Sequence, residues 1–200
     1  MRFYLLRHAV TAETGITLSG RLPGIPLSAD GRHMAEFAAD MLAALRPAML
    51  VSSPVDRCKE TAGIVGGQWG LKPHLDRAFI EADYGSWSGR KLAALYRLKA
   101  WSHLMASAAR FRFPDGETLE EVQRRAVAGI ERLAATHRKD ATIVIVSHAD
   151  VIRSLVAHYL GMPLDLIHRL NVRPTSISVV ELNGDGPPRV PIVNHVGGKV

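Results

Sequence analysis

Three largely apolar runs along the chain each predict a buried strand. They cover residues 3–6, 48–52 and 142–147. Strands that are apolar on both faces are typical of a parallel or mixed sheet with helices on each side. The pattern therefore indicates an α/β fold with a mostly parallel central sheet and helices on both faces.

Stretches with apolar residues at helical spacing separate these runs. The spacing predicts helices over residues 30–45, 54–65, 116–137 and 149–160. One or two shorter helices and a loop are expected within residues 86–114. Residues 176–182 and 189–196 are typical of a terminal hairpin, joined by an Asn-Gly-Asp-Gly-Pro-Pro turn. We expect one domain over residues 1–200, with residues 86–114 as a flap or lid segment.

Local signals mark where some of these helices begin and end. Ser53 followed by Pro54 predicts an N-cap with proline at the first helical position of the second helix. The glycines at residues 66 and 67 should interrupt that helix. Either Thr118 or Asp115 would cap the third helix, and the sequence leaves the choice between them open.

Composition narrows the class of protein. The 200 residues are 47% hydrophobic and 22% charged, which is typical of a globular chain and excludes a disordered one. The first apolar run is too short for a secretion signal, and no stretch approaches the length of a membrane span. Cys58 is the only cysteine, which excludes an internal disulfide framework and a cysteine-based zinc site. We therefore expect a cytoplasmic enzyme without a membrane partner.

The formal net charge of +6 favours anionic partners, although a solvated basic surface explains it equally well. The basic residues are scattered and form no recognisable DNA- or RNA-binding motif, so no nucleic-acid partner is expected. His33 and Glu36 have helical spacing, but no third ligand accompanies them. A metal site is therefore not expected.

Polar and cationic side chains follow each of the three predicted strands. Arg7 and His8 end the first, Arg57 follows the second in the first turn of a helix, and His148 ends the third. Because the carboxyl ends of parallel strands lie at one edge of a sheet, these four side chains should converge. Guanidinium groups bind phosphate oxygens bidentately, helix N-termini add amide donors, and an imidazole can act as a nucleophile. The convergence predicts a site for a dianionic phosphate.

Five segments carry a resemblance to a known family. They are LLRHA at residues 5–9, PLSADG at 26–31, SSPVDRCKETA at 52–62, EADYGSWSG at 81–89 and VSHADVIR at 146–153. In this order they resemble the histidine phosphatase superfamily, which contains phosphoglycerate mutases and acid phosphatases with a catalytic histidine. The resemblance covers nearly the whole chain and implies a phosphoglycerate mutase-like fold.

The resemblance also implies a role for each matching residue. His8 would be the nucleophile that forms a phosphohistidine intermediate. Arg7, Arg57 and His148 would hold the phosphate oxygens and stabilise the charge of the transition state. Glu81 would protonate the leaving oxygen and then activate water. Because arginines supply the positive charge, neither a metal ion nor another cofactor is expected.

Some positions depart from the family's pattern or match it weakly. Ala9 replaces the usual glycine after the catalytic histidine, which requires a backbone compatible with a β-carbon. Thr14 stands where many members have an asparagine that donates to phosphate, and its hydroxyl can donate the same bond. Ser19, Gly20 and Arg21 are weak candidates for substrate contact, because they resemble a segment that touches substrate in the mutases.

The proton donor has competitors in the sequence. Asp83 or Glu117 could also supply an acid, and only motif position favours Glu81. Cys58 follows Arg57 directly, but packing is the expected role of a small apolar side chain there.

Hydrolysis and mutase chemistry are both consistent with the motifs. The mutases of this family usually carry extra sequence that covers the phosphate pocket and keeps water away from the phosphohistidine. Residues 86–114 are short by comparison, which favours a phosphatase. A non-catalytic phosphate-binding module and a phosphatase for protein phosphohistidine are further alternatives.

The substrate is expected to be a small phosphorylated metabolite. An anionic or aromatic organic part would contact basic and aromatic residues of the middle segment, namely Arg90, Lys91, Tyr96, Arg97, Lys99, Trp101, Arg110 and Arg112. Phosphosugars, phosphoglycerates, nucleotides and the nucleotide-loop phosphates of cobalamin synthesis all remain open. The sequence leaves the oligomeric state undetermined.

Overall fold

The strands and helices alternate along the chain in a computed structural model that describes residues 1–184 and 186–200. The strands are β1 (Arg2–Arg7), β2 (Met49–Ser52), β3 (His74–Leu75), β4 (Thr142–Ser147), β5 (Ile177–Glu181) and β6 (Arg189–His195). The α-helices are α1 (Ala29–Leu42), α2 (Asp56–Gly67), α3 (Leu92–Leu95), α4 (Lys99–Ala106), α5 (Leu119–Thr136) and α6 (Ala149–Tyr159). Short 3₁₀ turns cover Arg77–Phe79, Gly85–Trp87 and Leu164–Arg169.

The strands form one sheet in the order β3-β2-β4-β1-β5-β6. Strand β4 pairs in parallel with both β1 and β2, and β2 pairs in parallel with β3. Strands β5 and β6 are antiparallel to their neighbours and form the predicted terminal hairpin. The turn predicted between them includes Asp185, which lies outside the described residues. The predicted mostly parallel α/β sheet is therefore confirmed.

The two faces of the sheet carry separate apolar cores. Along β1, Phe3 and Leu5 pack into the core that includes α5 and α6, whereas Tyr4 and Leu6 pack into the core that includes α1 and α2. Alternate residues of a strand point to opposite faces, so a strand with helices on both sides must be apolar throughout. This explains the unbroken apolar run that opens the chain, and it confirms helices on both faces.

The start of α2 differs from the prediction. The helix begins at Asp56, and Val55 occupies the N-cap without a side-chain hydrogen bond. Ser53, which was expected to cap the helix, instead places its hydroxyl 2.7 Å from Nε2 of His148. The helix also continues through Gly66, where a β-carbon would lie 2.5 Å from the carbonyl oxygen of Leu71. That glycine permits close packing and does not break the helix.

The start of α5 is fixed by a capping box. The Thr118 hydroxyl accepts from the backbone N–H of Glu121, and the Glu121 carboxylate accepts from the backbone N–H of Thr118. Asp115 instead lies in the preceding turn with a φ of 59°. Thr118 is therefore the cap. No helix within the described ranges is long and apolar enough to cross a membrane.

Candidate active site

The sheet order brings the three predicted segments together. Because β4 lies between β2 and β1, the residues that follow these strands share one edge of the sheet. The backbone N–H of His8 donates to Ser147 O at 2.9 Å, and that of Ser53 donates to Val146 O at 2.9 Å. These bonds extend the strand pairing by one residue. They hold the His8 and Ser53 segments on either side of the start of α6.

His8 is buried and its two ring nitrogens have different partners. Nδ1 lies 2.7 Å from the carbonyl oxygen of Ala9. A carbonyl can only accept, so Nδ1 carries the ring proton and Nε2 carries the lone pair. Arg57 Nε donates to this Nε2 across 3.1 Å. Burial, together with the charges of Arg57 and Arg7, holds the pKa of His8 well below its ordinary value. The imidazole is therefore neutral at pH 7 and presents a nucleophilic nitrogen.

Arg57 and Arg7 both line the cleft beside His8, and each retains an unused donor. Arg57 Nη2 donates to the carbonyl of Gly20 at 2.7 Å, while its Nη1 is buried without a partner among the described residues. Arg7 Nη1 donates to the carbonyl of Val172 at 2.7 Å, while its Nε is buried and has no partner within residues 1–184 and 186–200. Buried donors without partners are uncommon and expensive. Their presence in a cleft indicates an anion site.

His148 is fully buried beside these groups. Its Nδ1 lies 3.0 Å from Arg57 Nη2, which can only donate, so the Nδ1 atom carries the lone pair. Nε2 therefore carries the proton and donates to the Ser53 hydroxyl at 2.7 Å. Burial and the neighbouring Arg57 charge lower the pKa of His148 well below its usual value. Ser53 thus fixes which nitrogen of His148 faces the arginine.

Glu81 is the carboxyl group closest to the two histidines. Its Oε1 accepts from the backbone N–H of Ala82 at 2.9 Å, and its Oε2 lies 3.9 Å from His148 Nδ1. Burial and the nearby charge of Asp150 raise the pKa of Glu81 to about 7. A carboxyl with this pKa exchanges a proton readily near neutral pH, as a general acid and base must.

The two competing acids are engaged elsewhere. Arg21 pairs with Asp83 at 3.2 Å and with Glu117 at 2.7 Å. Partial burial raises the pKa of Glu117, but hydrogen bonds and charge from Arg125 outweigh it and hold that pKa below its usual range. Neither carboxylate lines the cleft. The geometry therefore favours Glu81 as the proton donor.

The weaker candidates from the sequence fall into two groups. Thr14, Ser19 and Gly20 line the cleft, and the Thr14 hydroxyl accepts from the backbone N–H of Thr11 at 2.9 Å. Arg21 does not line the cleft, and its expected substrate contact stays a prediction. Its Nε donates to the backbone oxygen of Glu81 at 2.8 Å, so it supports the segment that carries the acid.

The cleft has a volume of about 400 Å³ and includes residues that the sequence did not single out. Asp150 accepts from the Tyr84 hydroxyl at 2.8 Å and from Arg153 at 2.9 Å. All three side chains line the cleft, as does His168. The motif segments at residues 81–89 and 146–153 contain Tyr84, Asp150 and Arg153, so the sequence carried a signal for these three residues. It carried no signal for His168.

Only part of the expected contact surface for an organic group reaches the cleft. Tyr96 and Trp101 line it, whereas the six basic residues that were grouped with them do not. Contact between these basic residues and an organic group stays a prediction. Those six residues are Arg90, Lys91, Arg97, Lys99, Arg110 and Arg112.

Cys58 packs against His148, with its sulfur 3.4 Å from Nε2. Burial raises the pKa of the Cys58 thiol to about 12, so it stays protonated. Among residues 1–184 and 186–200, no group of three or more His, Cys, Asp or Glu side chains has an arrangement that could hold a metal ion.

A neutral imidazole in a cleft with two guanidinium groups and a proton-exchanging carboxyl suits a phosphoryl group. Fold and site together define an α/β protein of the phosphate-handling class. More particularly, the chain belongs to the histidine phosphatase superfamily, branch 1, whose family model matches residues 3–194. The resemblance carried by the sequence motifs is therefore confirmed.

Curated relatives include both phosphatases and mutase-like proteins. A bifunctional protein of Mycobacterium tuberculosis is 31% identical over 98% of this chain, but the chain spans only 54% of that relative's length. The glucosyl-3-phosphoglycerate phosphatase of Mycolicibacterium vanbaalenii is 30% identical, covering 82% of this chain and 76% of the relative. A Salmonella arizonae protein named "Probable phosphoglycerate mutase GpmB" is 28% identical, covering 90% and 85%.

The fold also matches a solved phosphatase. A mycobacterial glucosyl-3-phosphoglycerate phosphatase, solved in complex with inorganic phosphate, superposes with a TM-score of 0.85 and 26% identity. The match covers 97% of each chain. Phosphatases of this family thus share the whole architecture of the protein.

Proposed function

We propose that the protein is a metal-independent phosphomonoester phosphatase that acts through a phosphohistidine at His8. The observation that carries the proposal is the neutral His8 ring, whose Nδ1–H is bonded to Ala9 O while its Nε2 lone pair accepts from Arg57 Nε in a cleft that Arg7 also lines. An unprotonated nitrogen beside buried positive charge is what attack on a phosphorus atom requires.

Substrate binding would use the donors that are unpartnered in the cleft. Phosphate oxygens would accept from Arg7 Nε and Arg57 Nη1, both of which are buried and free among the described residues. The Thr14 hydroxyl would add a third donor, since its oxygen already accepts from the backbone of Thr11 and its proton can turn outward. His148 would donate to a phosphate oxygen only with a proton on Nδ1, which the charge of a bound phosphate dianion would favour.

The first chemical step transfers the phosphoryl group to the enzyme. The His8 Nε2 lone pair forms a bond to phosphorus as the ester P–O bond breaks. Glu81 gives its proton to the departing oxygen and becomes a carboxylate. The alcohol leaves, and the arginines stabilise the charge on the three non-bridging oxygens, as magnesium does in kinases.

The second step returns the enzyme to its starting state. The Glu81 carboxylate removes a proton from water, and the water oxygen bonds to phosphorus as the P–N bond to His8 breaks. Inorganic phosphate leaves, His8 is again neutral, and Glu81 again carries its proton. The pKa of about 7 for Glu81 suits both directions of proton transfer.

Mutase chemistry is the second candidate, and the similarity to the Salmonella protein named as a mutase supports it. Residues 86–114 would then act as a lid that keeps water from the phosphohistidine. Side chains of α3 and α4 in this segment line one wall of the cleft, and a single domain over residues 1–200 is part of the same proposal. Tyr96 and Met105 on that wall remain exposed, which supports hydrolysis.

The test measures phosphate release and isomerisation together. The protein is incubated with p-nitrophenyl phosphate and chelator, and then with a panel of natural phosphomonoesters scored for free phosphate and for isomerised product. We expect phosphate release that survives chelation. Complete loss of activity with chelator would refute the metal-independent mechanism, and isomerisation without phosphate release would favour the mutase.

A further inference from the structure

We infer that the cleft beyond the phosphate site is a subsite for an uncharged aromatic group. The preferred substrates would be phosphomonoesters whose alcohol carries a flat apolar ring, and esters that carry a second anionic group, such as a carboxylate, would be disfavoured. This inference rests on the proposed phosphatase function and names the substrate class of the same site.

One wall of the cleft is apolar and includes two aromatic side chains. It comprises Leu18, Leu92, Tyr96, Trp101, Leu104 and Met105. The Tyr96 and Trp101 rings meet edge to face with centroids 4.8 Å apart, and Trp101 stacks on Trp87 at 6.0 Å. This packing gives the wall a fixed shape, and offset or edge-on contact with aromatic rings is favourable beyond the area it buries.

Part of this wall is left uncovered in the protein itself. Tyr96 is 55% exposed and Met105 is 45% exposed, although both line the cleft. Covering such apolar area contributes roughly 25 cal/mol for each Å² removed from water. A ring on the substrate would supply that cover, whereas a polyhydroxylated or carboxylated group would not.

The charges in the cleft argue against a second anion. The cationic side chains that line it are Arg7, Arg57 and Arg153. The first two surround His8, and Arg153 is bonded to Asp150 at 2.9 Å. Burial raises the pKa of Asp150, but Arg153 and the Tyr84 hydrogen bond outweigh it and hold the carboxyl ionised. The Arg153 charge is therefore neutralised, and a substrate carboxylate would meet Asp150 without a free cation.

His168 adds a buried polar group to the cleft. Nε2 of His168 is buried without a partner among the described residues, and the side chain lines the cleft. Burial lowers the pKa of His168, with Asp150 opposing, so the ring is neutral at pH 7. A neutral imidazole nitrogen recognises one hydroxyl or ring nitrogen. The subsite therefore suits an aromatic group that carries one hydrogen-bonding atom.

The first test compares substrates whose leaving oxygens are all alkyl, so that leaving-group chemistry is matched. They are 2-phenylethyl phosphate, glycerol 3-phosphate and 3-phosphoglycerate. We expect kcat/KM for 2-phenylethyl phosphate to exceed that for 3-phosphoglycerate by about tenfold or more, the range that apolar pockets achieve. Equal values, or a preference for 3-phosphoglycerate, would overturn the aromatic subsite and leave the phosphatase proposal intact. If the protein hydrolyses none of these three esters and does not hydrolyse p-nitrophenyl phosphate either, the phosphatase proposal itself is refuted.

The second test removes the exposed part of the wall. In the double variant Tyr96→Ser, Met105→Ser, we expect the ratio of kcat/KM for 2-phenylethyl phosphate over 3-phosphoglycerate to fall about tenfold. Phe37→Ser is the matched control, because Phe37 is 50% exposed on α1 and does not line the cleft. Its ratio should equal that of the unmodified protein. An unchanged ratio in the double variant would overturn the inference.

Discussion

Arg57 Nε donates to His8 Nε2 across 3.1 Å, so the proposed nucleophile is held by one of the proposed phosphate ligands. The same guanidinium donates to His148 Nδ1 at 3.0 Å through Nη2. One planar side chain therefore sets the spacing of both imidazoles. A phosphoryl group that enters the cleft would meet Arg57, His8 and His148 already in position. This arrangement lowers the free energy needed to reorganise these groups during the reaction.

Replacing Arg57 by lysine tests this arrangement. An ammonium keeps the charge but cannot donate to both imidazoles from one plane. We expect kcat/KM for p-nitrophenyl phosphate to fall about 10²- to 10³-fold in Arg57→Lys, the size of effect seen when one oxyanion donor is lost. Arg124→Lys, on the exposed face of α5, is the control. A loss below threefold would show that charge alone is sufficient at this position.

His8→Ala removes the proposed nucleophile. We expect no measurable turnover and no phosphorylated protein after rapid quenching with labelled substrate, whereas the unmodified protein should carry an acid-labile phosphate typical of phosphohistidine. His33→Ala is the control because it changes a histidine outside the cleft. Retained labelling in His8→Ala would place the phosphoryl group on another residue.

Glu81→Gln tests whether Glu81 donates the proton to the leaving oxygen. The amide has a similar shape but no acidic proton, so alkyl phosphates, which need protonation on leaving, should lose about 10²- to 10⁴-fold in kcat/KM. p-Nitrophenyl phosphate should lose far less, because its leaving group is stable as an anion. Equal losses for both substrates would point to a different acid.

The acid should also govern the pH profile. Since the pKa of Glu81 is raised to about 7, its proton is present below that pH and is lost above it. We therefore expect kcat/KM for an alkyl phosphate to be level near pH 6 and to decline above pH 7. A profile that rises through this range would contradict a protonated Glu81 in the first step.

Asp150→Asn should move this decline. The Asp150 charge disfavours ionisation of Glu81 and so raises the pKa of Glu81, second only to burial. Without that charge the pKa should fall, and the decline in kcat/KM should begin at a lower pH. Asp140→Asn, which changes an exposed carboxylate, should leave the profile in place. An unshifted pH profile in Asp150→Asn would show that Asp150 does not raise the pKa of Glu81.

The capping box of α5 gives a prediction about stability. Thr118→Ala removes the hydroxyl that accepts from Glu121 N–H, and the loss of such a cap costs about 1 kcal/mol in the free energy of unfolding. Denaturant titration measures this difference. Glu120→Ala, in the same first turn, removes only an exposed ion pair and should change the free energy of unfolding by less than about 0.5 kcal/mol.

Much of the fold could be predicted because its signals are local. The run at residues 142–147 corresponds to β4 without a shift at either end, since each apolar residue there is required by burial on one face or the other. The convergence of Arg7, His8, Arg57 and His148 followed from a general property of parallel sheets. The structure brings these four side chains together, and their catalytic roles remain predictions.

Long-range partners explain the contacts that the sequence did not predict. Ser53 followed by Pro54 has the local pattern of a helix start, but His148, 95 residues away, provides a closer partner for the hydroxyl. Arg21 was assigned to substrate, but Asp83 and Glu117, which are 62 and 96 residues away, hold its guanidinium. Nothing in the local pattern of either residue indicates these partners.

The position of β4 between β2 and β1 has a consequence for how the protein acquires its pocket. Strands β1 and β2 come first in the chain, but each reaches the other only through β4, which follows α5. Pairings between segments far apart in sequence form slowly during folding, because a long loop must be closed first. During synthesis, Arg7 and Arg57 would leave the ribosome long before β4 could bring them together. Recovery of phosphate binding after denaturation should therefore report completion of the sheet.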